Sequence, residues 1–216
     1  MKKTGRYFVL IAGMLISLTG CAGAAGQPDN SRTVISADTA GITGETDSML
    51  RMTFLDTGKS DCIIIETKDH VVVNDAADAD DADLICAYLD RRQAEKIDYL
   101  ILSHFDKDHI GSAAVLLSEY EVGCVLMPEH EKDSEAYQAL PEALIQVKTE
   151  ERRLVKDYSF TLDGIEFVVD APDEDDYEDD NNYSLITTVN CGETGFLLMG
   201  DALKKRTCEF MESEAG

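Results

Sequence analysis

The chain has 216 residues and carries 43 acidic side chains against 19 basic ones, a formal net charge of −24 at pH 7. A surface of that sign repels phosphate backbones and anionic headgroups within a Debye length of roughly 8 Å in physiological salt, which disfavours DNA as a tightly bound partner. With 44% hydrophobic residues, the length suffices for one domain with a sizeable core.

Residues 1–20 read as a secretory signal. Lys2, Lys3 and Arg6 precede an apolar stretch from Tyr7 to Leu18, too short and wrongly flanked for an ordinary membrane span. The run ends Leu18-Thr19-Gly20-Cys21, which resembles the lipobox of bacterial lipoproteins, whose cysteine is lipidated. That resemblance implies a lipid on Cys21 and an extracytoplasmic domain anchored to the bacterial membrane. Residues 21–47 are small, polar and aperiodic, the composition of a flexible tether. The folded domain is expected over 48–216. Cys62, Cys86, Cys124, Cys191 and Cys208 form no C-x-x-C pair, and several sit in apolar runs. They suit buried small hydrophobes, although an oxidising compartment also permits a disulfide.

Within the domain, "MLRMTFLD" (49–56), "CIIIET" (62–67) and "HVVVND" (70–75) are short, branched and apolar, and read as consecutive strands. "DADLICAYLDRRQA" (81–94) sets Leu84, Ile85, Tyr88 and Leu89 at helical spacing. "IDYLILS" has the continuous apolar run of a strand buried on both faces. "IGSAAVLLSEY" reads as a helix, "GCVLMP" as a strand, and 133–146 as a helical stretch that Pro141 must kink or divide. A hairpin turns at Asp163-Gly164, a second lies in "SLITTVNCGETGFLLMGD", and "ALKKRTCEFMES" ends the chain as a helix. This order suggests an α/β (α+β) domain of paired sheets with helices outside. The acidic stretches 74–83 and 170–180 lack EF-hand spacing and read as solvated loops. His70 and His130, two of the four histidines, read as surface residues.

The chemistry concentrates where "IDYLIL" ends, in "SHFDKDHIGS". His104 and Asp106 are one residue apart, so in extended chain they point the same way. Asp108 and His109 follow at the turn into a helix. Two imidazoles and two carboxylates in six positions form a donor set for one or two metal ions, and a cation would relieve the repulsion between the carboxylates. This mixture suits zinc, manganese or iron.

"SHFDKDHIGS" resembles the first metal motif of the metallo-β-lactamase superfamily, with Asp106 in place of its second histidine, as in ComEC-like extracytoplasmic hydrolase domains. "FLDTGKSDCIII" resembles the opening strand and turn of those domains, with Gly58 and Asp61 in register. "VVVNDAAD" stands where they have a strand ending in Asp-Gly-Gly, here with Ala76 and Ala77. "DDNNYSLI" is similar to their Asn-Asn-x-Ser-Leu segment, and "FLLMGDA" to their strand ending in Gly-Asp.

The resemblance implies an αββα metallo-β-lactamase sandwich holding Zn2+ or Mn2+ through His104, Asp106, Asp108, His109 and a bridging Asp201. Asp108 would also orient or deprotonate the attacking water, while Asn182 and Ser184 would make polar contacts near the mouth. The implied reaction is metal-dependent hydrolysis of a phosphodiester, a nucleotide or another small molecule; no protein partner is implied. Relatives of this kind continue past Gly-Asp with a helix, a strand and a His-His-Gly-Ser loop of late ligands. One helix follows Asp201 here, so a domain lacking the final strand and helix, with an incomplete ligand set, is the expectation. A non-catalytic acidic surface lipoprotein and a truncated, inactive relative stay open as alternatives.

Overall fold

The structure, a computed structural model, describes residues 6–7, 35–39, 50–147 and 149–213. Two sheets face each other. A two-residue strand, β1 (Arg6–Tyr7), belongs to the smaller sheet. The larger one runs in chain order: β2 (Ile35–Thr39), β3 (Leu50–Phe54), β4 (Ile63–Glu66), β5 (Val71–Asn74), β6 (Lys96–Ile101), β7 (Glu121–Pro128) and β8 (Glu150–Leu154). Its first half is antiparallel and its second half, from β5 to β8, is parallel. The smaller sheet has the order β1-β12-β11-β10-β9, with β9 (Tyr158–Leu162), β10 (Ile165–Asp170), β11 (Ile186–Cys191) and β12 (Thr194–Leu198).

Strand alternation explains the unbroken apolar runs. Successive side chains point to opposite faces of a strand. Ile64, Val73, Leu100 and Val125 therefore pack under the helices, while Ile63, Ile65, Val72, Ile101 and Leu126 pack against the smaller sheet. Phe167, Val169, Val189 and Leu198 supply that inner layer from the other side. Tyr99 stacks on Phe160 at 3.8 Å between ring centroids, and Phe160 on Phe167 at 4.7 Å. The helical layer on the larger sheet comprises α1 (Ala82–Arg91), α2 (Lys107–Ile110), α3 (Ala113–Glu119) and α4 (Glu135–Val147).

Three elements refine or extend the expectations. Pro141 lies inside a single helix, α4, rather than dividing it, because Tyr137, Leu140 and Leu144 bury one face across the proline. Strand β8 falls in "EERRL", whose charged edge hides the strand pattern. Ile35–Thr39, inside the stretch read as tether, pairs antiparallel with β3, Ile35 opposite Phe54. The Asp163-Gly164 hairpin holds, with both residues at positive φ (49° and 79°), as a two-residue primed turn requires. Cys62 and Cys124 are buried and Cys208 is exposed; all five described cysteines are free thiols.

The last helix, α5 (Lys204–Ser213), is held by Arg206, whose side chain is wholly buried. The Arg206 guanidinium pairs with the Asp170 carboxylate, donates to the Asp170 carbonyl at 2.9 Å, and donates from Nε to the Ser184 carbonyl at 3.0 Å. Its backbone N–H donates to Asn182 Oδ1 at 3.3 Å.

Candidate metal centre

Because β5, β6 and β7 are parallel, their C-terminal ends share one edge, and the site is built there. The chain leaves β5 at Asp75, with φ 61°, and continues through Ala77 at φ 48°, a left-handed conformation that glycine adopts freely and alanine less so. This bend places the buried Asp75 carboxylate between two loops. Oδ1 accepts from the Ser103 N–H at 2.7 Å, while Oδ2 accepts from Ser103 Oγ at 2.8 Å and from His109 Nδ1 at 3.0 Å. The same bend ties the larger sheet to α2, since Ala76 N donates to the His109 carbonyl at 2.6 Å and Ala77 N to the Asp61 carbonyl at 2.8 Å.

These bonds set which nitrogen of each imidazole faces the site. His109 donates from Nδ1 to Asp75, so its Nε2 faces Asp201 Oδ1 at 3.6 Å. The hydroxyl proton of Ser103 is committed to Asp75, so Ser103 Oγ accepts from His104 Nδ1 at 3.1 Å. The remaining nitrogen, His104 Nε2, carries a lone pair, is buried, and has no hydrogen-bond partner among the described residues. Burial and the neighbouring His109 charge hold His104 below the usual imidazole range, which keeps that lone pair free.

Asp201 arrives from the turn after β12. Gly200 takes φ 51°, and a Cβ there would lie 2.7 Å from Ser103 Oγ, so glycine is required for this close approach. His104, His109 and Asp201 each present one ligand atom, and the three atoms lie within 4.8 Å of one another. The two imidazoles are buried, whereas the Asp201 side chain is 45% exposed. This donor set fits a divalent ion: two nitrogens and a carboxylate, imidazoles oriented by outer hydrogen bonds, and one side open to solvent.

The other expected ligands are placed differently. Asp106 Oδ1 lies 4.0 Å from His104 Nε2 but is paired with the Lys132 ammonium. Asp108 sits half-buried in the first turn of α2, and its backbone carbonyl accepts from Asp61 N at 3.1 Å; its carboxylate is in neither ligand group. Asn182 and Ser184, expected at the mouth, are both buried. Asn182 Oδ1 is taken by the Arg206 N–H, and the Ser184 side chain is enclosed beside Gly200. Cys21 lies outside the described residues.

Two acids were not assigned from sequence. Asp75 lies in a stretch read as a solvated loop, and Asp61 in the turn "GKSDC". With His109 they form a second group within 4.8 Å. Burial, then repulsion from Asp75, pushes the Asp61 carboxyl up to about 6. The signal for both was their position inside the resembling segments. His130 also departs from expectation. It is half-buried, stacked on Tyr183 at 3.7 Å, with Nε2 3.5 Å from Asp180 Oδ1. His70 lies at the opposite edge of the sheet, 3.0 Å from Asp98, beside a cavity of about 460 Å³.

Burial would lower His109, but the Asp75 and Asp201 carboxylates outweigh it and push it up to about 11. In the ion-free protein His109 is therefore protonated at pH 7, and ligation through Nε2 must expel that proton. Ion affinity should rise about tenfold per pH unit from pH 7 to 9. Calorimetry in buffers of different ionisation enthalpy should count one proton released per ion. An affinity independent of pH would remove His109 from the ligand set.

Comparison with known proteins agrees with this fold. ComE operon protein 3 of Bacillus subtilis (strain 168) is 30% identical over 135 residues, which are 59% of this chain and 16% of that protein. The chain thus spans about a sixth of that relative's length. A metallo-beta-lactamase of Cronobacter sakazakii with a HARLDQ motif superposes with a TM-score of 0.54 at 12% identity, covering 76% of this chain and 71% of its own. A mutant of that enzyme superposes at 0.51 and 13% identity, covering 68% and 59%. The family model described as the metallo-beta-lactamase superfamily matches residues 55–216, the span that holds most of the inner layers between the sheets and every candidate ligand described above. The chain belongs to the metallo-beta-lactamase superfamily.

Proposed function

We propose that this protein is a metal-dependent hydrolase acting on a phosphodiester or nucleotide, with His104, His109 and Asp201 as its ion-holding residues. The observation that carries the reading is His104 Nε2: a buried lone pair without a partner, aimed at a second imidazole and an accessible carboxylate. Without a ligand, such a buried nitrogen leaves its desolvation uncompensated, at a cost of about 1–3 kcal/mol. The superfamily fold supports hydrolase chemistry and implies a divalent ion; Zn2+ and Mn2+ both match the donors. When bound, the ion polarises a phosphoryl oxygen and acidifies water. The protein's part is to orient. Asp75 and Ser103 fix the imidazoles, Asp201 closes the ligand set from the solvent side, and Asp108 orients or deprotonates the attacking water.

The phosphodiester preference rests on the likeness of "FLDTGKSD", "DDNNYSLI" and "GDA" to ComEC-like domains. The relative named ComE operon protein 3 is consistent with that likeness. Lipidation of Cys21 and anchoring at the outer face of the membrane belong to the same proposal. Cleavage before Cys21 would remove β1 and leave β12 as the edge of its sheet; fatty-acid labelling that persists in Cys21→Ala would refute it.

The test is hydrolysis of bis(p-nitrophenyl) phosphate by the full chain loaded with Mn2+ or Zn2+, beside a chromogenic β-lactam. Turnover of the diester that a chelator abolishes is expected. Turnover of the β-lactam alone would overturn the substrate class, and turnover of neither would overturn the enzyme reading.

A further inference from the structure

Lys132, in the segment after β7, is a charged group near the ligands that the proposed chemistry does not use. Its ammonium pairs with Asp106 Oδ1 and lies 2.8 Å from Asp180 Oδ2. The side chain is only 23% exposed. Asp180 is fixed in turn, because His130, stacked on Tyr183, reaches its other oxygen at 3.5 Å. The lysine is therefore held in a built cluster, unlike a free surface pair whose geometry is loose.

Asp106 Oδ1 is also 4.0 Å from the partnerless His104 Nε2. Two ligands at about 2.0–2.1 Å from a shared ion lie roughly 3–4 Å apart, so Asp106 stands where a further ligand would stand. A divalent ion and an ammonium repel strongly at that range and compete for the same oxygen. We propose that Lys132 is a resident counter-cation of the metal centre, withholding Asp106 from coordination and thereby weakening ion binding. This rests on the reading that an ion binds at His104, His109 and Asp201, and it makes Lys132 a positioning residue that sets ion affinity.

The probe is Mn2+ alone, titrated into the full chain of wild type, Lys132→Met and Lys132→Arg, with free Mn2+ read by electron paramagnetic resonance. Lys132→Met should lower the half-saturating Mn2+ concentration at least tenfold, and Lys132→Arg, which keeps the cation, should bind like wild type. Equal or weaker binding by Lys132→Met, with wild type still binding, overturns this inference and leaves the hydrolase reading intact. Binding by none of the three overturns both. A second readout needs no variant. Mn2+ saturation of the wild type should free the Lys132 amine, raising its acetylation by an amine-reactive reagent as read by mass spectrometry, and unchanged labelling would overturn the inference.

Discussion

Replacing Arg206 with alanine is expected to destabilise the domain by about 3–5 kcal/mol, the cost of breaking a buried ion pair by removing one partner. The guanidinium is wholly enclosed and joins three separate segments: the Asp170 carboxylate and carbonyl at the end of β10, the Ser184 carbonyl, and α5 itself. Truncation leaves those acceptors without a donor and the Asp170 charge in a dry setting. Burial already pushes the Asp170 carboxyl up, against the lowering effect of Arg206, so losing the arginine raises it further. The planar fork matters as much as the charge. A lysine offers a single point donor and cannot serve Asp170 and Ser184 together. In a domain of this size 1 kcal/mol moves the Tm by roughly 2–4 °C, so a fall of about 6–20 °C should appear in a thermal melt. Pairing Arg206→Met with Asp170→Leu should recover much of the loss, because the stranded charge is then absent. A single mutant melting within 2 °C of wild type would show that the pair contributes little.

His104→Ala should lower metal-dependent turnover by at least about a hundredfold, equivalent to roughly 3 kcal/mol of transition-state stabilisation. Among the described residues, its imidazole offers the only buried nitrogen of the ligand group with no hydrogen-bond partner, and His109 and Asp201 alone hold an ion poorly. The fold should survive, because among the described residues the His104 imidazole makes one hydrogen bond, to Ser103 Oγ, which keeps its own bond to Asp75. Steady-state rates on bis(p-nitrophenyl) phosphate, measured alongside thermal melts, separate the two effects. A variant that keeps its rate within threefold of wild type would place the chemistry elsewhere.

The architecture was readable because its main signals are local. The runs "CIIIE" and "VVVN" carry branched residues that fill both faces of a sheet, and Asp163-Gly164 has the conformational freedom a tight hairpin needs. Strand β8 was not readable, since an edge strand exposes most of its side chains and "EERRL" has no apolar face to display. The helix α4 was legible, but whether Pro141 would kink or divide it was not, because the burial that keeps it in one piece is tertiary. The metal motif was legible as a cluster of donors in one loop, including His104 and His109. The support for that motif was not. Asp75 looks like one more acid in an acidic stretch until β5 and β6 pair and bring it against Ser103 and His109. Lys132 is one of many charged side chains until the turn carrying Asp180 folds over the site. Arg206 sits in a helix whose sequence looks solvated, and only the packing shows it buried.

The central claim is that His104, His109 and Asp201 hold a divalent ion. Crystals of the full chain grown with Zn2+ or Mn2+, with diffraction recorded on either side of the metal absorption edge, test it most directly. An anomalous peak within about 2.0–2.2 Å of His104 Nε2, His109 Nε2 and an Asp201 oxygen is the predicted result. Metal found only along the acidic stretches 74–83 and 170–180, with His104 Nε2 still unligated, would contradict it.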